Sequence, residues 1–161
     1  MSFTIVLDTD FLSAFLKIEQ LHLVKDFYGV EVLRVPVAVY REVSLTNLLP
    51  RLAALQWVEV AAPEPGERPG HGPDFVDLGK GEQEAIQLSL SSPGSLLLMN
   101  DLKARRIAHR LGVDTVDVPA FLLSCKASGF LNPTKVREVI EALREKDRYG
   151  FRKEALDRLL S

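Results

Sequence analysis

The sequence predicts an α/β protein built on parallel strands, and three observations carry the prediction. Phe3 to Leu7 and Ser95 to Met99 are short apolar runs with little of the polar alternation of a half-exposed strand, as expected for strands buried on both faces. Both run straight into acid, Asp8 and Asp10 after the first and Asn100-Asp101 after the second. Each is followed by a segment with helical apolar spacing. In open α/β sheets the ligand crevice lies beyond the carboxyl ends of the strands, so these acids fall where such folds do chemistry.

The first strand leads into a helix over Phe11 to Lys17, and Asp8 or Asp10 serves either as its cap or as part of a site. Helical spacing continues to Tyr28 and stops at Gly29. Val32 to Val35 reads as a strand, and Pro36 suits the first position of the helix that follows, where its missing N–H is no loss. On that helix, Val37 to Leu45, the residues Ala38, Val39 and Leu45 share a side with Glu42. A glutamate inside an apolar stripe needs an arginine partner or a polar cleft.

Asn47 to Gln56 is helical with a break at Pro50, and Trp57 to Ala61 alternates as a strand. Four prolines and four glycines lie between Pro63 and Gly79, so residues 62–78, with His71 among them, are expected to form a surface loop. Gly81 to Leu90 is a helix. On its wheel Ala85, Ile86, Leu88 and Leu90 average to a direction centred on Glu82, whereas Glu84 lies about 200° away. Glu82 also sits in the first turn, where the helix dipole favours a negative charge. The wheel therefore prefers Glu82 over Glu84 as a functional carboxylate.

After the strand Ser95 to Met99, the helix Leu102 to Leu111 is strongly basic, with Lys103, Arg105, Arg106 and Arg110. Leu102, Ile107, Ala108 and Leu111 form its buried side, and Gly112 ends it. Asp114 to Val116 is an edge strand and Pro119 to Ser128 a helix. Asn132-Pro133 caps another helix that runs to about Lys146, and Phe151 to Leu160 is a short amphipathic helix. A chain of 161 residues suits one core. We take residues 1–146 as the main domain and 147–161 as a helical extension packed on it.

Hydrophobic residues at 47% and charged residues at 26% are those of an ordinary globular protein. No run reaches the roughly 18 apolar residues of a membrane span, and no basic, apolar leader opens the chain. Cys125 is the only cysteine, which excludes an internal disulfide and a cysteine zinc cluster. These features lead us to expect a cytoplasmic protein that keeps clear of membranes, with Cys125 in the core. Residues 1–100 hold 7 Lys and Arg against 13 Asp and Glu, whereas residues 101–161 hold 13 against 9. A basic half beside an acidic one suits a metal site serving an anionic substrate, and it equally suits solvated helices.

Asp8, Glu42, Glu82 and Asp101 are thus the candidate carboxylates. Brought together they repel, so their convergence requires a divalent cation or nearby arginine. All-oxygen ligands select Mg²⁺ or Mn²⁺ over zinc, and His22, His71 and His109 have no metal-ligand spacing.

In order and spacing, IVLDTDFL, VPVAVYREV, GEQEAI and LLLMNDLKARRIAHRLGV resemble the signatures of PIN-domain proteins, most closely the branch with paired Gly-Glu-x-Glu and Asp-Asp-x-x-Ala-Arg motifs. The similarity runs from Ile5 to Leu143 and includes VPAFLLSCKASGFL. The resemblance implies a three-layer α/β/α sandwich with a central, mainly parallel sheet, and a ribonuclease that uses Mg²⁺ or Mn²⁺ and cuts RNA. Such a ribonuclease is often the toxin of a toxin–antitoxin pair, with an antitoxin protein and a homodimer as its partners. It assigns the metal to Asp8, Glu42, Glu82 and Asp101, with Glu84, Asp10 and Asn100 as auxiliaries. Lys103, Arg105 and Arg106 would steer the phosphate backbone. Asn100 stands where this branch often has aspartate, and Asp10 where a small polar residue is usual.

Two other readings compete. Asp8-Thr9-Asp10 after a strand is also how haloacid dehalogenase-like phosphotransferases begin, with the first aspartate as nucleophile. A catalytically weakened PIN-like module that binds RNA or protein is the non-enzymatic alternative.

Overall fold

The computed structural model describes residues 3–63 and 72–161. Five strands form one sheet: β1 (Thr4–Leu7), β2 (Leu33–Pro36), β3 (Val58–Ala61), β4 (Ser95–Leu98) and β5 (Thr115–Val116), in the order β3-β2-β1-β4-β5. Every neighbouring pair is parallel. The chain winds outward from β1 in both directions, so the strand order reverses between β1 and β4. That reversal opens a crevice beyond their carboxyl ends. Val6 pairs with Leu97 and Leu7 with Leu98, which brings Asp8 and the Asn100-Asp101 pair to the same end.

The side chains of β1 show why helices cover both faces. Ile5 and Leu7 point into one core with Phe11, Phe15 and Phe121, while Val6 points into another with Ile86, Leu97 and Ile107. The first core is covered by α1 (Thr9–Lys17), α2 (His22–Tyr28), α8 (Val118–Ala127) and α9 (Pro133–Ala142). The second is covered by α6 (Lys80–Leu90) and α7 (Leu102–Arg110). This is the three-layer sandwich that the resemblance implies. Phe11, Phe15 and Phe121 meet with ring centroids 5.2 to 6.0 Å apart, a geometry worth more than buried area alone. Cys125 is fully buried in this core, as expected.

The remaining helices are α3 (Val37–Ser44), α4 (Leu49–Ala53), α5 (Pro73–Val76) and α10 (Lys153–Leu160). α10 packs on α8 and α9 and sends Leu159 into the first core. A π-helical turn, Leu143–Asp147, joins directly to α9. It spans the boundary between residues 146 and 147, where the sequence reading divides main domain from extension. Among the described residues no helix is long and apolar enough to cross a membrane.

Several expectations need correction. Leu45 is 90% exposed rather than on the apolar stripe of α3, because α3 ends at Ser44 and the wheel does not extend to its C-cap. Leu90 and Leu102, terminal residues of α6 and α7, are also exposed, since a core-facing stripe loses its neighbours at a helix end. Pro36 closes β2 and occupies the N-cap of α3 instead of its first turn. The proline- and glycine-rich stretch is not loop throughout: α5 lies within it, and Phe75 and Leu78 are buried in the second core. His71 lies outside the described residues.

Candidate active site

Asp8 follows β1 at the N-cap position of α1, and its side chain makes no capping hydrogen bond. Its backbone N–H donates to the Leu98 carbonyl at 3.0 Å, continuing the ladder one residue past the strand. The side chain is therefore held down between β1 and β4, only 4% exposed. Its Oδ1 is buried with no hydrogen-bond partner among the described residues. Burial pushes the Asp8 carboxyl up to about 7; a backbone hydrogen bond from Thr9 opposes the rise, and the charges of Glu82, Asp10 and Glu42 add to it.

The side-chain cap that sequence reasoning offered to Asp8 on α1 is not made, whereas Asp101 makes one on α7. Its Oδ1 accepts from the Ala104 N–H at 2.8 Å at the start of α7, and the residue is exposed at the crevice mouth rather than buried. Glu82, half-buried in the first turn of α6, accepts from the Gly79 N–H at 3.2 Å. Its carboxyl is also raised, first by burial, with Gly79 opposing and Asp101, Asp10 and Glu42 adding.

Glu42 is exposed although Ala38 and Val39, one turn before it on α3, are buried, and it has no arginine partner among the described residues. Its Oε2 accepts a hydrogen bond from the Thr9 hydroxyl, beside Asp8. Gly81 explains how α6 comes so close: a Cβ there would stand 2.8 Å from Glu42 Oε1. Gly81→Ala is expected to leave the melting temperature almost unchanged, because the helix gains from alanine what the shifted carboxylate end loses. Thermal melts of wild type and variant check it.

Asp10 is exposed on α1. Its carboxyl is raised by burial of part of its surface and by Asp147, Asp101 and Glu42, with Lys17 opposing. Glu84 does not point outward as the wheel suggests. Its Oε1 accepts from the Ala38 N–H at 3.0 Å and fastens α6 to the first turn of α3. Asn100 is committed too: its Oδ1 accepts from the Val118 N–H at 3.0 Å and the Tyr149 hydroxyl at 3.3 Å. Among the three auxiliaries, Asp10 alone makes no side-chain hydrogen bond or ion pair with the described residues. Sequence reasoning missed Thr9 and Tyr149, for which helix position and an isolated tyrosine give no signal.

The basic residues of α7 divide. Arg105 donates from Nη1 to Asp117 Oδ2 at 2.8 Å and from Nε to the Thr115 hydroxyl at 3.2 Å, which commits it to holding β5. Lys103 and Arg106 are exposed. Together with His109 and Arg110 they line a groove of about 650 Å³ along the helix.

Among the described residues no three carboxylate, histidine or cysteine groups are drawn together closely enough to cage a metal ion. The donor chemistry nonetheless suits a hard cation. Asp8 presents a buried oxygen without a partner among the described residues, and neighbouring acids add to the burial that raises the Asp8 and Glu82 carboxyls, a repulsion that a divalent cation relieves. A family model described as "DUF3368: PIN domain" matches residues 4–161. No curated protein matches the chain.

Proposed function

The chain belongs to the PIN-domain family, a fold of nucleases, and from that premise we propose that it is an endoribonuclease dependent on Mg²⁺ or Mn²⁺. One observation supports this most: the buried Asp8 oxygen with no partner, ringed by acids whose charges it feels. Family membership displaces the phosphotransferase reading of Asp8-Thr9-Asp10.

Asp8, Glu42, Glu82 and Asp101 would hold the cation. When bound, such an ion lowers the pKa of water and neutralises charge that develops on the phosphodiester. The protein's own groups do the rest. Asp8 is fixed by its backbone bond to β4, and Thr9 orients Glu42 toward the crevice. Glu82 or Asp101 orients the attacking water, and as the water oxygen bonds to phosphorus the P–O ester bond breaks. Lys103 and Arg106 take neighbouring phosphates, while Arg105 stiffens the α7–β5 junction.

The test is cleavage of a mixed panel of single-stranded RNAs by wild type and Glu42→Gln, each with Mn²⁺ and with excess chelator. Glu42 is exposed, so the variant is expected to fold. Cleavage with Mn²⁺ that vanishes with chelator and falls about 100-fold or more in the variant is the expected result. Folded wild type that cuts no RNA in the panel, or that cuts equally well in chelator, would overturn the proposal.

A further inference from the structure

The π-helical turn Leu143–Asp147 ends at Arg148, whose backbone is left-handed with φ +54°. The other described left-handed positions are Gly29, Gly94, Gly112 and Gly129, apart from Glu19. Glycine is the natural occupant of such a backbone, so an arginine there points to a use for its side chain. π turns and left-handed non-glycine residues both recur at functional sites.

The turn is fixed from two sides. Lys17 Nζ pairs with Asp147 Oδ1 at 2.8 Å, tying it to α1. Beyond Arg148, the Tyr149 hydroxyl donates to Asn100 Oδ1, tying the chain to the end of β4, and the Tyr149 N–H donates back to the Leu143 carbonyl at 3.0 Å. Between these anchors lies a cavity of about 400 Å³ whose lining includes Asp10, Ser13, Lys17, Asn100, Arg148 and Tyr149. Asp10 and Asn100 belong at once to this cavity and to the acid crevice. Lys17 neutralises Asp147, and the cavity's other cation, exposed Arg148, has no ion-pair partner among the described residues.

We propose that this cavity seats the nucleotide next to the scissile phosphate of a single-stranded RNA, with Arg148 on its phosphate and Tyr149 beside its sugar and base. The proposal rests on the ribonuclease reading and adds the place of substrate recognition. The volume lies at the low end of the roughly 300–1,000 Å³ of small-ligand sites, enough for one nucleotide and too small for a duplex. Tyr149 is half-buried with its ring 4.7 Å from that of Phe151, so the nucleotide lies beside it, and only an unpaired nucleotide can turn its base into such a site. The position, sharing Asp10 with the acids, lets the strand pass from α7 across the crevice to the turn.

The test is binding of a short fluorescent oligoribonucleotide in excess chelator, where no cut is made, followed through a salt titration. Arg148→Gly removes the side chain while suiting the backbone, so its melting temperature should not fall. It is expected to bind roughly fivefold more weakly, with a salt slope smaller by about 0.7. Arg144→Ala, on the same turn but outside the cavity, should match wild type. If wild type binds and cuts RNA while Arg148→Gly binds like Arg144→Ala, this proposal fails and the ribonuclease reading stands. If folded wild type neither binds nor cuts RNA, the ribonuclease reading itself fails and this proposal with it.

Discussion

Asp8→Asn should abolish cleavage and at the same time stabilise the metal-free protein at pH 8. The two effects have one origin. Asp8 is held 4% exposed with Oδ1 unpartnered, and its carboxyl is pushed up to about 7 from an ordinary value of 3.8. At pH 8 the native state must carry that charge against burial and against Glu82, Asp10 and Glu42, at a cost on the order of 4 kcal/mol. Asparagine keeps the shape, drops the charge, and offers N–H donors to the neighbouring acids. For a chain of this length each 1 kcal/mol shifts the midpoint by roughly 2–4 °C, so a rise of about 8–16 °C in chelator is the expected size. Loss of this buried, unpartnered anionic oxygen should lower turnover at least about 100-fold. A stability gained where function is lost is the mark of a strained site. Thermal melts with chelator and RNA cleavage with Mn²⁺, on the same two proteins, decide it. A variant that loses activity and also melts earlier would make Asp8 a structural group.

Sequence patterns reached the sheet because its strands are local features. Phe3 to Leu7 and Ser95 to Met99 declare buried strands by composition alone, and the wheel of α6 puts Glu82 toward the core side, where the structure leaves it half-buried. The errors come where a second element decides. Glu84 is outward on an isolated helix, yet α3, 46 residues away, brings the Ala38 N–H to it. Asp8 and Asp101 look alike in sequence, each an acid between strand and helix. Only the structure separates them, since Asp8 is pinned to Leu98 by its backbone and Asp101 is free to turn onto Ala104. Asn100 reads as a substituted acid, while its partners Val118 and Tyr149 lie 18 and 49 residues further on. Gly81 has no side chain to read. Its meaning lies in what a Cβ would strike, and Glu42 is on another helix.

The same site should give the metal-free protein an inverted pH dependence. Asp8, Asp10 and Glu82 all have carboxyls raised above their ordinary values. A carboxyl raised on folding binds more protons in the native than in the unfolded state, so stability falls as pH rises between its two pKa values. For Asp8 the window runs from 3.8 to about 7. In chelator, wild type should therefore be more stable at pH 5 than at pH 8, by up to a few kcal/mol in urea unfolding. Asp8→Asn should lose most of that slope, and the difference between the two proteins cancels titrations elsewhere in the chain. Mn²⁺ competes with the protons for the same oxygens, because carboxylate ligands must be ionised to bind it. Millimolar Mn²⁺ should consequently stabilise wild type far more at pH 8 than at pH 5 and hardly stabilise Asp8→Asn at either. Wild type and variant curves that stay parallel from pH 5 to 8, with the same response to Mn²⁺, would mean that the acids around Asp8 neither repel one another nor gather a cation.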